Sequence, residues 1–302
     1  SGWRLQTLSV PEAESAKSLA MAQRLISHLA RRATMRVPLL VAFGGGVVGD
    51  LTGFVAAIFR RGVPYVQVPT TLLAQVDSAI GGKVGVDLPH AKNFVGAFYQ
   101  PRLVWNNLRV LHTLPIRQRR SGLAEVIKYG AIADRALFGF LETHLADCLS
   151  LDVRAVRVMV ERSCAIKARV VSHDEREAGH LRAQLNFGHT LGHALEAATQ
   201  YCRWTHGEAI AIGMCAAARL GVEMGWCPEA EGLRLEGLVR AAGLPVHAGG
   251  VSRKAVLAAL RYDKKFIHGR PRWVVPTRMG RVVVTEAVPA SLVRRVLARY
   301  GG

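Results

Sequence analysis

Two kinds of hydrophobic pattern divide this chain. In its first third, short continuous apolar runs such as Pro38 to Phe43 and Tyr65 to Val68 end in glycine or in Pro-Thr. Continuous apolar runs of this length are typical of strands buried in a parallel sheet. Two further strands are predicted at 3–10 and 102–107, and two helices at 11–32 and 51–59.

The rest of the chain has apolar residues at helical spacing. After Thr113-Leu114-Pro115, which we interpret as a break between domains, apolar positions recur every three or four residues. Helices are predicted over 117–133, 135–148, 152–172, 186–200, 206–225, 229–242, 253–261 and 290–299. A terminal hairpin is predicted from the runs 272–276 and 281–286. The pattern therefore predicts an α/β domain over residues 1–114, followed by a mostly helical domain over 115–302 with a terminal β-hairpin.

The turn after the first apolar run is rich in glycine. Gly44-Gly45-Gly46-Val47-Val48-Gly49-Asp50 stands between a predicted strand and a predicted helix, which is the context of the G-x-G-x-x-G dinucleotide fingerprint. Backbone N–H groups at such a turn suit a pyrophosphate. No acidic residue follows at about twenty residues to bind a ribose, so a tight turn without a ligand is the alternative. The glycine motif favours a Rossmann-like nucleotide-binding domain.

Polar residues follow the second apolar run. Thr70 and Thr71 stand at the carboxyl end of the predicted strand, where ligands bind in open α/β sheets. A glycine-rich segment then carries four candidate binding residues: Asp77, Lys83, Lys92 and Asn93. Two lysines and an amide suit an anionic, hydroxylated ligand, whereas lysines on a solvated surface are the alternative.

Three histidines within eighteen residues of the helical part are candidate metal ligands. His189 and His193 share one face of a helix because they stand four residues apart, and His206 stands where the next helix begins. Upstream, Glu125 and Lys128 lie one helical turn apart in an apolar setting. Two imidazoles and a carboxylate form a common catalytic zinc shell, although the spacing is not that of H-E-x-x-H. Capping or core histidines are the alternative.

Composition limits the kinds of ligand and the location that we expect for this protein. A net charge of +18 over 302 residues favours anionic ligands, but the arginines are spread along the chain without interleaved aromatic residues. We therefore expect a phosphorylated small molecule and no nucleic acid. Five cysteines without a CxxC pair, no apolar run of about twenty residues and no signal-peptide pattern predict a cytoplasmic protein that does not enter a membrane.

Taken together, the motifs resemble the 3-dehydroquinate synthase family of sugar-phosphate cyclases. The residues that carry the resemblance are G-G-G-V-V-G-D, F-R-R-G-V, V-P-T-T-L-L-A-Q-V-D-S-A-I-G-G-K, K-N, G-L-A-E-V-I-K, D-E-R-E, L-N-F-G-H-T-L-G-H-A-L-E, H-G-E and D-K-K. They run in the family's order from about Glu14 to Lys265. The resemblance implies a cleft between the two domains that holds NAD and one divalent metal, zinc or cobalt.

The resemblance also implies roles for individual residues. The metal ligands would be Glu125, His189 and His206, and the catalytic residues His193, Glu177 and Lys128. NAD would be bound by Glu14, Lys17, Gly45, Gly46, Asp50, Thr70, Thr71, Lys92 and Thr113. The substrate would be bound by Arg61, Asp77, Lys83, Asn93, Lys128, Lys167, Arg182, Asn186, His193 and Lys265. Arg61 would reach the site of a neighbouring subunit, so the resemblance implies a homodimer.

The implied activity is that of a phosphorus–oxygen lyase. It converts 3-deoxy-D-arabino-heptulosonate 7-phosphate to 3-dehydroquinate and phosphate in the shikimate pathway of aromatic amino acid biosynthesis. Transient oxidation by NAD acidifies a neighbouring proton, phosphate is eliminated, the ketone is reduced again, and an intramolecular aldol step closes the ring. Alternatives are another cyclase, of the 2-deoxy-scyllo-inosose synthase kind, or a catalytically impaired homologue that binds nucleic acid or serves as a scaffold.

Two departures from the family pattern affect these expectations. Compared with the family pattern, His180 is one extra residue between Glu177 and Arg182, within a substrate-binding stretch. The catalytic role that the resemblance implies for Glu177 is therefore less certain to carry over. The family's first strand–helix unit has no counterpart ahead of Trp3. We therefore expect an uncovered edge in the first sheet and weaker binding of NAD.

Overall fold

The computed structural model describes residues 5–12, 14–32, 37–88, 91–177, 181–262, 266–267 and 270–301. The chain forms two compact units, Ser1–Val110 and Leu111–Gly302. The first unit is α/β and the second is mostly helical, as the sequence predicts. The domain boundary predicted at residue 114 remains a prediction.

The first unit is built on a three-stranded parallel sheet. Its helices are α1 (Leu19–Arg31) and α2 (Gly46–Ile58), and its strands are β1 (Leu40–Gly44), β2 (Tyr65–Pro69), β3 (Lys83–Leu88), β4 (Ala91–Phe98) and β5 (Leu103–Val104). The sheet order is β1-β2-β5, and β3 pairs with β4 as an antiparallel hairpin. Shorter turns are the 3-10 helices Glu14–Ala16 and Phe59–Arg61 and the π-helix Ala74–Ser78.

The core of the first unit lies between α2, the sheet and the hairpin. Leu51 and Val55 of α2 pack with Tyr65 of β2 and with Val84 and Val86 of β3, and all five are fully buried or nearly so. The Tyr65 hydroxyl donates to the carbonyl oxygen of Tyr99 at 2.9 Å. The glycine-rich turn that precedes α2 is thereby held on a rigid support.

The face of β1 that carries Val41 and Phe43 is exposed. Within the described residues, β1 pairs with β2 alone. Val41 and Phe43, which alternate with the buried Ala42, are 54% and 65% exposed. Within the described residues, β1 is therefore an edge strand of this sheet and has an exposed apolar face.

Several sequence predictions for this unit are wrong in detail. The described residues 5–10 form no strand, because no neighbouring strand offers them hydrogen bonds, and most of them are exposed. The helix predicted over 11–32 begins only at Leu19, because Ser18 is its N-cap and accepts a hydrogen bond from the backbone N–H of Met21. The helix predicted from residue 51 begins at Gly46, so most of the glycine motif is helical.

The β3–β4 hairpin was not predicted at all. Gly82, Gly85 and Gly96 make the segment resemble a glycine-rich loop, because glycine is unfavourable inside a strand. Val84 and Val86 nevertheless provide an apolar face that packs against α2, which makes the strands stable. The strand predicted over 102–107 is reduced to Leu103–Val104, because only these two residues pair with β2.

The second unit consists mainly of helices. They are α3 (Ile116–Ala133), α4 (Arg135–Thr143), α5 (Leu145–Ser150), α6 (Val153–His173), α7 (His189–Ala198), α8 (His206–Glu223), α9 (Glu229–Ala241), α10 (Arg253–Tyr262) and α11 (Ala290–Tyr300). Its antiparallel strand pairs are β6 (Phe266–Ile267) with β7 (Arg270–Pro271), and β8 (Trp273–Arg278) with β9 (Arg281–Thr285). The 3-10 helix Arg182–Asn186 belongs to this unit, and the 3-10 helix Leu108–Thr113 includes residues of both units.

Most helix predictions for this unit are confirmed to within a few residues, and so is the terminal hairpin. The helix predicted over 135–148 is two helices that meet at His144. The helix predicted over 186–200 begins at His189, because its N-cap Gly188 has a left-handed conformation with a φ of 80°. The preceding 3-10 helix ends at Asn186.

Close contacts between backbones bring α3, α7 and α8 together. A Cβ atom at Gly213 of α8 would lie 1.9 Å from the carbonyl oxygen of Gly188, at the start of α7. A Cβ atom at Gly207 would lie 2.0 Å from the carbonyl oxygen of Ser121 in α3. Both backbone contacts require glycine. The contact of Gly207 with Ser121 is also stabilised by a hydrogen bond from the Gly207 N–H to the Ser121 hydroxyl at 3.0 Å.

No helix in the described part of the chain is long and apolar enough to cross a membrane.

The approach of α7 to α8 predicts a contrast between two glycine substitutions. Gly213→Ala forces a methyl group against a backbone carbonyl, so we expect it to lower the free energy of unfolding by about 1–3 kcal/mol or more. Gly237→Ala is the matched control, because Gly237 is inside α9 and nothing lies within 4 Å of its Cβ position. Helix propensity should make that variant more stable by about 0.5–1 kcal/mol. Denaturant unfolding measures both, and equal midpoints for the two variants would contradict the close contact.

Candidate active site

The second unit brings Glu125, His189 and His206 together from three helices. Glu125 is in the middle of α3, and each histidine is the first residue of its helix, α7 or α8. The start of α8 is fixed by a capping box. In it, the Thr205 hydroxyl accepts from the Glu208 N–H at 3.3 Å, and a Glu208 carboxylate oxygen accepts from the Thr205 N–H at 2.8 Å. This cap holds His206 at the helix terminus.

The two imidazoles converge on one carboxylate oxygen of Glu125. Oε1 of Glu125 lies 3.6 Å from Nε2 of His189 and 3.5 Å from Nε2 of His206. The Glu125 side chain is fully buried. With metal–ligand bonds of about 2.0–2.1 Å, the ligands of a tetrahedral zinc ion lie about 3.3–3.4 Å apart. The donor set and its spacing therefore fit a divalent metal such as zinc.

The outer nitrogen of each histidine is held by an acceptor. Nδ1 of His189 lies 3.1 Å from the carbonyl oxygen of Phe187, and Nδ1 of His206 lies 3.3 Å from Oε1 of Glu196. A carbonyl or an ionised carboxylate can only accept, so both Nδ1 atoms carry the proton. In the neutral form of each imidazole, Nε2 then has the lone pair that can bind a metal, in the arrangement that metal-binding histidines commonly have.

Electrostatics at His206 favour a cation. Burial alone lowers the pKa of His206, but its hydrogen bonds with Glu125 and Glu196 outweigh burial and raise the pKa to about 10. The two carboxylates therefore create a strongly negative potential around this imidazole. A bound divalent metal would satisfy the same potential in place of the proton.

Lys128 lies beside this cluster. It is one helical turn after Glu125 on α3 and makes an ion pair with it, and both side chains are almost completely buried. A lysine ammonium group is a compact charge that interacts strongly when water is excluded. Lys128, for which a catalytic or substrate-binding role is predicted, is therefore buried at a position where its charge interacts strongly with nearby groups.

His193 lies next to the two candidate ligands. Its ring centroid is 5.2 Å from that of His189 and 6.1 Å from that of His206. A second set of ligand atoms, from His193, Glu196 and His206, also lies within 4.8 Å of one another. We favour the set with Glu125 because both Nε2 atoms of its histidines face one buried oxygen. His193, which is partly exposed, remains the candidate for proton transfer.

The other predicted residues of this unit have varied environments. Lys167 of α6 and Arg182 are buried, and Asn186 is partly buried at the end of the same 3-10 helix as Arg182. Thr113 is exposed. Glu177 is also exposed, follows α6 and has a φ of 58°. Lys265 and the extra residue His180 lie outside the described residues.

In the first unit, the predicted binding residue Lys17 contacts two others, Asp50 and Asn93. The Nζ atom of Lys17 lies 2.5 Å from a carboxylate oxygen of Asp50 and also donates to the side-chain oxygen of Asn93. Lys17 is 4% exposed. Burial lowers its pKa, but the ion pair with Asp50 outweighs burial and raises the pKa. Glu14 and Lys92 form a second, more exposed ion pair at 3.4 Å.

The carboxyl ends of β1 and β2 lie side by side. Gly45 is the N-cap of α2, directly after β1, and Gly46 is the first residue of that helix. The Thr70 N–H donates to the carbonyl oxygen of Gly44 at 2.9 Å, and the Thr71 hydroxyl accepts from the Ala74 N–H at 3.1 Å. This is the end of a parallel sheet at which ligands bind.

The remaining predicted substrate residues of this unit lie on other elements. Arg61 is exposed with a φ of 63°, Asp77 is partly buried in the π-helix Ala74–Ser78, and Lys83 is exposed at the start of β3.

Glu196 was missed by the sequence analysis. It stands seven residues after His189 and three after His193, so the helical spacing i, i+4, i+7 puts all three on one face of α7. That spacing, applied to the motif H-T-L-G-H-A-L-E, is the signal that could have identified it.

Comparison with known proteins identifies the family of this chain. Residues 7–121 match the family model described as 3-dehydroquinate synthase N-terminal, and residues 122–266 match the one described as 3-dehydroquinate synthase C-terminal. The chain belongs to the 3-dehydroquinate synthase family. Members of the family are enzymes, and the resemblance seen in the sequence is therefore confirmed.

Individual family members are similar over nearly the whole chain. The 3-dehydroquinate synthase of Caldanaerobacter subterraneus subsp. tengcongensis is 49% identical, over 92% of this chain and 78% of its own length. That of Pelotomaculum thermopropionicum is 47% identical, over 99% of this chain and 81% of its own length.

Solved structures of other cyclases share the fold. The 2-epi-5-epi-valiolone synthase ValA from Streptomyces hygroscopicus subsp. jinggangensis, with NAD+ and Zn2+ bound, has a TM-score of 0.89 and 29% identity, covering 96% of this chain and 81% of that one. A 2-deoxy-scyllo-inosose synthase with carbaglucose-6-phosphate, NAD+ and Co2+ has a TM-score of 0.86 and 29% identity, covering 95% and 81%. The predicted fold class is confirmed.

The geometry separates the expected effects of two histidine substitutions. His189→Ala removes one of the two nitrogens that face Glu125, so the variant should purify without bound metal. His193→Ala leaves all three ligands in place, so it should retain its metal while losing turnover. Elemental analysis of both purified proteins is the measurement. A metal content in His193→Ala as low as that in His189→Ala would make the two α7 histidines the ligand pair instead.

Proposed function

We propose that this protein catalyses the 3-dehydroquinate synthase reaction with NAD and one divalent metal, zinc or cobalt. The substrate would be 3-deoxy-D-arabino-heptulosonate 7-phosphate and the products 3-dehydroquinate and phosphate. The observation that carries the proposal is the convergence of two histidine Nε2 atoms on the buried carboxylate of Glu125 in a chain of this family. The ligands present in the two cyclase structures support the choice of cofactors.

The candidate site contains residues suited to binding both cofactors. Glu125, His189 and His206 would hold the metal. When bound, the metal would provide Lewis-acid polarisation of hydroxyl oxygens, and NAD would provide a reversible oxidation of the substrate alcohol. For NAD we propose the residues at the carboxyl ends of β1 and β2, namely Gly45, Gly46, Thr70 and Thr71, with Glu14, Lys17, Asp50, Lys92 and Thr113.

Two side chains of the second unit would act on the substrate itself. Lys128 holds a fixed positive charge in a buried position, where it would stabilise negative charge that develops on a substrate oxygen. His193 has an imidazole that can accept and donate a proton near neutral pH, so it would move the proton of the hydroxyl that is oxidised and later reduced. Lys167, Arg182 and Asn186 would bind the polar groups of the sugar acid.

The phosphate group calls for cationic and amide donors. We propose Arg61, Lys83, Asn93 and Lys265 for this role, and Asp77 for a substrate hydroxyl. Hydrogen bonds from charged donors to phosphate are stronger than those between neutral groups. Arg61 is exposed. An exposed side chain is required if Arg61 contributes to the site of a second copy of the chain in a homodimer.

The alternative of a different cyclase activity is not favoured. The relatives with 44–49% identity are 3-dehydroquinate synthases, whereas the valiolone and inosose synthases are 29% identical. The resemblance also favours this branch of the cyclases, because Arg182, Asn186 and His193 match its motifs. All five cysteines are free thiols, in agreement with the proposed cytoplasmic location.

An assay of phosphate release tests the proposed function. We expect the purified protein to release phosphate from 3-deoxy-D-arabino-heptulosonate 7-phosphate, and to lose this activity when NAD is omitted or the metal is removed with a chelator. Because NAD is regenerated in each turnover, catalytic amounts should suffice.

Glucose 6-phosphate serves as the competing substrate. Turnover of this hexose phosphate in place of the heptulosonate phosphate would favour an inosose-type cyclase. No turnover of either substrate, together with tight DNA binding at physiological salt, would favour the catalytically impaired homologue.

A further inference from the structure

We propose that Glu196 is a positioning residue of the metal centre. It accepts a hydrogen bond from Nδ1 of His206 and so directs the Nε2 lone pair of that imidazole at the metal position. The proposal rests on the proposed function, because it requires a metal at Glu125, His189 and His206.

Both ring nitrogens of His206 face a carboxylate. Nδ1 lies 3.3 Å from Oε1 of Glu196, and Nε2 lies 3.5 Å from Oε1 of Glu125. The two contacts use different ring nitrogens, so Glu196, His206 and Glu125 form a continuous chain. An ionised carboxylate has no proton to donate, so Glu196 fixes the tautomer in which Nδ1 carries the proton and Nε2 is a metal ligand.

His206 needs such support more than His189 does. The His189 side chain is 11% exposed, and its Nδ1 is held by the Phe187 carbonyl two residues earlier on its own chain segment. The His206 side chain is 30% exposed and stands in the first position of α8. Among the described residues, the acceptor that faces its Nδ1 is Glu196, at 10% side-chain exposure.

Helix stability does not explain why a glutamate stands at this position. Glu196 is in the last turn of α7, which ends at Ala198. A negative charge near the C-terminus of a helix is unfavourable because it lies at the negative end of the helix dipole. The contact with His206 offsets this disadvantage and connects α7 to the first turn of α8, where the ligand lies.

Metal affinity of the full chain is the measurement. Zinc affinity is determined by chelator competition for the wild type, Glu196→Ala, Glu196→Gln and Glu223→Gln. Glu223 is the matched control, because it is a glutamate at the opposite end of α8 that pairs with Arg219 and Arg295. The melting temperature of each metal-free protein shows whether the variant is folded.

We expect Glu196→Ala to bind zinc about 10- to 100-fold more weakly, the range found for second-sphere partners of metal-binding histidines. Glu196→Gln keeps the volume of the side chain and an oxygen that can accept the hydrogen bond, so it should recover most of the affinity. Glu223→Gln should bind zinc as the wild type does. In the cobalt-loaded proteins, the visible absorption spectrum should shift in Glu196→Ala and remain unchanged in Glu223→Gln, because only the former frees the His206 ring.

Two results would overturn the proposal. One is wild-type zinc affinity in a folded Glu196→Ala variant. The other is a stoichiometry of two zinc ions that falls to one in Glu196→Ala, since Glu196 would then be a ligand in the set with His193 and His206. The His189→Ala variant shows separately whether the metal site itself is assigned correctly. If the metal does not bind at Glu125, His189 and His206, this variant keeps its zinc.

Discussion

The second unit is organised around one fully buried carboxylate. A charge as deeply buried as that of Glu125 is costly unless it is paired. Here Lys128 pairs with it along α3, and the imidazoles of His189 and His206 approach it from two other helices. The close backbone contacts and the capping box serve this arrangement, because each brings a helix terminus within reach of Glu125.

This arrangement links metal binding to folding. A cation that binds the folded unit and not the unfolded chain stabilises the fold by mass action. The three candidate ligands come from α3, α7 and α8, so a bound metal would crosslink the helices whose glycines allow their close packing. The same tight packing leaves little space for the side chains to move, which favours a precisely held ligand geometry.

The sequence predicts the site better than it predicts the first sheet. His189, His193 and Glu125 could be placed because helical spacing is regular, and His206 because it stands where a helix begins. The β3–β4 hairpin was missed because Gly85 and Gly96 are residues more typical of loops than of strands. The strand predicted over 3–10 was wrong because apolar content cannot supply a pairing partner. Contacts such as that of Lys17 with Asp50, 33 residues apart, depend on tertiary packing and have no local signal.

The central claim is that a single metal ion binds between Glu125, His189 and His206. Anomalous diffraction at the zinc edge, from crystals of the zinc-loaded protein, tests it most directly. The account predicts one peak per chain, about 2.0–2.2 Å from a Glu125 oxygen and from Nε2 of both histidines. A peak bonded to His193 or Glu196, or zinc-loaded crystals without a peak at Glu125, would contradict it.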